Sequence, residues 1–164
     1  MVEPPNPCCD RIRIVLGHTH CSSLFHCVFF TKERRRLIPP VVQPRLWAYV
    51  GGIAREQERK ALAEGGTDDH VHIPLSLPSS LPIALAMREI KSASSRWMHQ
   101  NCGLPGFEWQ EGYGAFSIGW SQVEATLAYI AGQEEHHRSR DFQAEFVAFL
   151  NKHRVPYDPR YMWG

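Results

Sequence analysis

A chain of 164 residues with 43% hydrophobic residues suits one domain with a substantial core. Its five cysteines (Cys8, Cys9, Cys21, Cys27 and Cys102) are odd in number and form no C-x-x-C pair, which argues against a disulfide or zinc framework and for reduced thiols. No apolar run reaches the length of a membrane span, no signal-peptide pattern opens the chain, and the formal net charge of +1 lacks a broad basic footprint; the expectation is a cytoplasmic protein with no membrane partner.

Residues 1–16 carry Pro4, Pro5 and Pro7 without sustained periodicity and read as an N-terminal extension, with disorder the expectation. Residues 17–164 read as a single domain. Leu24 to Phe30 is short, aromatic and β-branched, a buried strand that runs into the basic cluster Lys32-Glu33-Arg34-Arg35-Arg36. Leu46, Trp47, Val50, Ile53 and Ala54 then recur at helical spacing, weakened by Gly51-Gly52. Lys60 to Glu64 is a weak strand candidate, and Gly65-Gly66-Thr67-Asp68 is turn-prone. His70 to Leu77 reads as a strand whose regular pairing should stop near Ile73, since Pro74 has no N–H to give a ladder.

Pro82 opens a helix with the apolar face Ile83, Met87, Ile90 and Trp97, and with Arg88, Lys91, Ser95 and His99 on another face. Ala115 to Trp120 is a further short strand. Ser121-Gln122-Val123-Glu124 has capping-box spacing and starts a helix with the stripe Val123, Leu127, Ile130 and Ala131. The helical wheel turns Tyr129 away from that stripe, with Gln133 and His136 beside it. A last helix starts near Asp141 and buries Phe142, Phe146, Phe149 and Leu150, and the aromatic tail Tyr157 to Trp163 is expected to dock. Strand, helix, strand, strand, helix, strand and two more helices fit an α+β ferredoxin-like sandwich: an antiparallel sheet with a C-terminal helical addition carrying the tyrosine.

Two short signals carry chemistry. In Asp69-His70-Val71-His72-Ile73 the period of two aims both imidazoles from one strand face, where they can share a cation. Tyr129 and Gln133, four apart, share a helix face, so the hydroxyl and a neutral amide oxygen stand together. Phosphodiester cleavage needs an attacking oxygen and a cation to offset phosphate charge, and this set offers both. His18-Thr19-His20 repeats the His-x-His spacing near the terminus, but His70 and His72 follow a turn and begin a strand that would hold them rigidly. There is no G-x-S-x-G elbow, no phosphate-binding G-x-x-x-x-G-K-[ST] and no H-E-x-x-H, so no nucleotide cofactor is implied.

The segments Phe25-His26-Cys27-Val28-Phe29-Phe30-Thr31-Lys32, Asp69-His70-Val71-His72-Ile73, Lys91-Ser92-Ala93-Ser94-Ser95-Arg96-Trp97, Trp109 to Ser117 and Tyr129 to His137 resemble, in order, the single-tyrosine HUH transposases of small bacterial insertion sequences and the related repeat-associated tyrosine transposases. The resemblance implies a ferredoxin-like HUH domain over 17–164 and a homodimer that acts on single-stranded DNA with hairpin ends. It also implies a divalent metal, Mg²⁺ or Mn²⁺, on His70, His72 and Gln133, and Tyr129 as the nucleophile that forms a 5′-phosphotyrosine. Lys32, Arg34, Arg35, Arg36, Lys91 and Arg96 are candidates for DNA phosphate contacts, and Trp97 or Trp109 for stacking on a base. Pro74, Gly132 and Glu64 depart from the residues usual in the family. The competing reading is a catalytically silent or domesticated protein that binds DNA hairpins.

Overall fold

Strict alternation along two strands sets the architecture. The computed structural model describes residues 20–56, 59–133, 142–160 and 162. Its elements are β1 (Ser23–Phe30), α1 (Gln43–Glu56), β2 (Lys60–Ala61), β3 (Gly65–Gly66), β4 (His70–Leu77), α2 (Ile83–Asn101), β5 (Gly114–Ser117), α3 (Val123–Ala131) and α4 (Phe142–Lys152). The strand order is β2-β4-β1-β5, with β3 also on β4, and every pairing is antiparallel. With β2 and β3 as two pieces of one edge strand, this is the β-α-β-β-α-β order of a ferredoxin-like α+β sandwich, followed among the described residues by α3 and α4.

Cys27 and Phe29 of β1 and Val71, Ile73 and Leu75 of β4 face α1 and α2, where they bury against Leu46, Val50 and Ala54 and against Met87, Ile90 and Met98. Each large apolar side chain sealed there contributes roughly 1.5–3 kcal/mol of transfer free energy. The intervening residues turn to the other face: Val28 and Phe30 pack with Phe116 of β5 and with Phe142, Phe146 and Leu150 of α4. His26, His70 and His72 fall on that second face by the same period of two.

Pairing does not stop at Ile73. β4 stays in register with β1 as far as Leu77 opposite Ser23, with Pro74 opposite His26. The Pro74 carbonyl accepts from Leu62 N–H at 2.9 Å on the other side, and a strand residue's N–H and C=O point the same way. The donor that proline lacks therefore faces the short edge, where β2 has already ended at Ala61, and the β1 ladder loses nothing. The weak strand over Lys60 to Glu64 shrinks to two residues for the same reason. Gly65 and Gly66, expected in a turn, pair instead with His72 and Val71. A side chain at Gly66 would strike the His70 carbonyl, so the close approach of two backbones selects glycine there.

The expected capping box is replaced by a 3-10 turn, Trp120–Gln122, in which Gln122 Oε1 accepts from Gly119 N–H at 2.9 Å. Glu64, half-buried, points at α1, and a side chain at Gly51 would run into its carboxylate. The glycine that weakens α1 is thus what admits the unusual acid. No helix among the described residues is long and apolar enough to cross a membrane.

Candidate active site

β4 sets His70 and His72 side by side on the second face, both fully buried, with ring centroids 5.0 Å apart and planes perpendicular. Phe142 of α4 stacks on His70 at 4.0 Å. The Nδ1 atom of His70 lies 2.6 Å from Asp69 Oδ1 and 3.1 Å from Thr67 Oγ1, while Nε2 lies 3.2 Å from Gln133 Oε1. Burial alone would raise the Asp69 carboxyl, but hydrogen bonds and charge from His70 and Arg34 outweigh it and hold it well below the usual carboxylate range. Asp69 is therefore an anion that accepts the hydrogen on His70 Nδ1, and His70 Nε2 is left facing Gln133.

His72 is held in a parallel way by a residue to which the sequence reading gave no role. Its Nδ1 stands 3.0 Å from Nε2 of His26, a buried side chain on β1. Burial, with help from the His153 and Lys152 charges, lowers His26 from 6.5 to about 4, so this ring is neutral at pH 7.

Tyr129 sits in the last turn of α3, its ring perpendicular to His72 at 5.4 Å and edge-on to His26 at 6.1 Å. Phe149 of α4 closes over it at 5.8 Å. Burial raises the phenol above its ordinary range; Gln133 opposes the rise and the Glu145 charge adds to it. Glu145, also unremarked in the sequence, lies three residues after Phe142 and four before Phe149, which places it on the site-facing side of α4. A cavity of about 320 Å³ opens against Tyr129, lined also by His26, Gln122, Thr126, Lys152 and His153.

Tyr129 and Gln133 do not ride one continuous helix. α3 ends at Ala131, Gly132 caps it with its N–H on the Ala128 carbonyl at 3.1 Å, and Gln133 is buried just beyond. Gly132 thus stands at a cap, where the interior penalty of glycine does not apply. α3 reaches the sheet because Gly65, opposite His72, carries no side chain; a Cβ there would stand 2.6 Å from Ile130 Cγ2. The structure brings His70, His72, Tyr129 and Gln133 of a single chain together. His18, His136, His137, Asp141 and the tail residues Tyr161 and Trp163 lie outside the described residues, whereas Met162 packs on the α4 cluster.

The basic cluster divides. Glu33 and Arg34 both adopt left-handed backbone, at φ 54° and 55°, which costs of order 1 kcal/mol or more for a residue with a side chain. The kink sends Arg34 inward, 2.6 Å from Asp69 and 4.9 Å over the Phe142 ring, while Arg35 and Arg36 stay outside. Lys32 pairs with Glu108 at 2.5 Å on the surface. Lys91 is half-buried and donates to the Gln110 and Gly112 carbonyls, and Arg96 is exposed on α2. Trp109 packs against Phe29 and Phe107 and donates to Ser94, and Trp97 stacks on Tyr49.

Two imidazole nitrogens and an amide oxygen are donors that could hold a divalent cation. Two ligands each about 2.1 Å from one octahedral ion stand roughly 3.0 Å apart, close to the 3.2 Å between His70 Nε2 and Gln133 Oε1. A cation held between them would take one lone pair from each. The third donor is an amide; no group of three or more His, Cys, Asp or Glu positioned for a metal occurs among the described residues.

No curated protein matches the chain. A candidate transposase from Deinococcus radiodurans R1 shares its fold, with a TM-score of 0.57 at 20% identity over 71% of this chain and 95% of that one. A REP-associated tyrosine transposase, solved bound to a REP hairpin, shares it with a TM-score of 0.53 at 18% identity over 74% of this chain and 73% of that one. Residues 19–133, which span the whole sheet and run to Gln133, match the family described as "Transposase IS200 like", and the chain belongs to that family.

Proposed function

We propose that this transposase cleaves and rejoins single-stranded DNA through Tyr129, with Mg²⁺ or Mn²⁺ held by His70, His72 and Gln133. The observation that carries the reading is the convergence of the four side chains from β4 and the end of α3, with Gln133 Oε1 on His70 Nε2 and the Tyr129 ring against His72. When bound, the cation would withdraw charge from the scissile phosphate and orient it. The Tyr129 hydroxyl attacks phosphorus, loses its proton and forms a 5′-phosphotyrosine, and the 3′-oxygen of the preceding nucleotide leaves and takes up a proton. A second DNA 3′-hydroxyl then attacks the linkage, loses its proton and releases Tyr129 protonated. One phosphodiester replaces another, so no nucleotide is hydrolysed.

The second face supplies the order this needs. Asp69 and His26 fix the histidines, Phe142 covers the backs of both, Phe149 covers Tyr129, and the cavity beside Tyr129 gives a strand access to the hydroxyl. The hairpin on the REP-associated relative makes hairpin-ended single strands the natural substrate class, and a homodimer is part of the proposal. The test is incubation with Mn²⁺ and labelled hairpin oligonucleotides from the gene's flanking DNA, then denaturing electrophoresis. A DNA-linked protein band is expected, and Tyr129→Phe should abolish it. Hairpin binding with no linked band in the unaltered protein would move the chain to the silent hairpin-binding reading.

A further inference from the structure

His26 is invisible to the motif: it lies 46 residues before His72, on another strand, in a stretch that reads as apolar core. The sheet register makes it a diagonal neighbour of His72, since Val28 stands directly opposite His72 and His26 opposite Pro74. The rings lie 5.1 Å apart with planes 36° apart, and Nε2 of His26 meets Nδ1 of His72 at 3.0 Å, a hydrogen-bond distance. Both side chains are almost wholly buried.

We infer that His26 is a positioning residue: its Nε2 lone pair holds the hydrogen of His72 on Nδ1, so that His72 presents Nε2 as the lone-pair nitrogen, matched to Nε2 of His70. The choice of donor rests on the reading of His72 as a metal ligand; the 3.0 Å contact between the two rings does not. In a hydrogen bond between the two rings, one nitrogen of the contact bears the hydrogen and the other the lone pair. The opposite assignment, with His26 as donor, would put the His72 hydrogen on Nε2 and leave that nitrogen unable to coordinate. Asp69 performs the corresponding task for His70, so the two histidines are served by different chemistry: a carboxylate with Arg34 behind it, and a neutral ring from the neighbouring strand. A neutral acceptor adds no charge beside Tyr129, to which His26 also presents its edge.

The experiment uses the intact chain, labelled with ¹⁵N histidine and free of metal and DNA at pH 8, and reads the ring-nitrogen shifts of His72 by NMR. The unaltered protein should show His72 protonated on Nδ1. His26→Leu should move the hydrogen to Nε2. His26→Gln places an amide oxygen near the position of the lost Nε2 and should restore the Nδ1 form; His26→Asn, with a shorter reach, should not. Calorimetric titration with Mn²⁺ on the same proteins should show a 10- to 100-fold weaker affinity in His26→Leu, recovered in His26→Gln. An Nε2-protonated His72 in the unaltered protein, or a tautomer indifferent to residue 26, overturns the inference. A correct tautomer with no Mn²⁺ binding in any variant would sustain the His26–His72 contact and sink the metal reading instead. If His26→Leu fails to fold, judged by circular dichroism, the Gln and Asn pair decides, since the two differ only in reach.

Discussion

The two faces of the sheet are built from the same strands yet are put to different uses. On the α1 and α2 side, Cys27, Phe29, Val71, Ile73 and Leu75 belong to one apolar cluster, and burial there stabilises the fold without asking for direction. On the α3 and α4 side, each alternate residue of the same strands lands among His26, His70, His72 and a ring of phenylalanines, where every buried nitrogen needs a placed partner. One face asks for apolar side chains of the right volume; the other asks for particular atoms in particular places. A period of two lets eight-residue strands hold both without compromise.

Neighbouring residues on β4 give the sharpest test. Ile73→Ala should cost about 2–5 kcal/mol of unfolding free energy in a urea titration with chelator present, and should leave the folded fraction able to form the DNA-linked band. His72→Ala should abolish the band and cost less stability. Equal losses of stability and of adduct in the two variants would erase the distinction between the faces.

The first face was the more legible of the two in the sequence. Local period alone places β1, α1, β4 and α2, because apolar burial depends on spacing and on little else. The strand break expected at Pro74 fails because the consequence of a missing donor depends on which neighbour it faces, and that is decided by the short edge around Leu62. The second face was half legible. His70, His72, Tyr129 and Gln133 stand in motifs of short spacing, whereas His26, Arg34 and Glu145 reach the site from three other elements, and no local pattern announces such long-range company. Arg34 shows the limit well: in sequence it is one of three equal arginines, and only the left-handed kink at Glu33 and Arg34 singles it out.

That kink yields a prediction of intermediate size. Arg34→Ala removes the partner that helps hold Asp69, so adduct formation should fall about 10- to 100-fold with hairpin binding little changed. Arg36→Ala, with its side chain 84% exposed, should leave the chemistry intact and reduce the salt dependence of single-strand binding by about 0.7 in log–log slope if it touches one phosphate. Identical salt effects from the two variants would return Arg34 to the surface cluster.

The smallest effect probes a carboxylate set against the dry face. Glu64 is half-buried behind α1; burial raises its carboxyl above the usual 4.5, and Arg55 opposes the rise. The folded state thus holds that proton more tightly than the unfolded chain does, so the ionised acid costs stability at neutral pH. That cost is relieved as pH falls through the raised value and is gone below 4.5. Solvent screening keeps the effect under about 1 kcal/mol. Glu64→Gln should therefore be slightly more stable than the unaltered protein at pH 7 and equal to it near pH 4, measured as urea midpoints. Gly51→Ala should be destabilised with Glu64 present and much less so with Ala at 64, because its new methyl meets that carboxylate and little else. If Gly51→Ala costs the same in both backgrounds, the glycine answers to the backbone of α1, and the acid is merely a neighbour of the core.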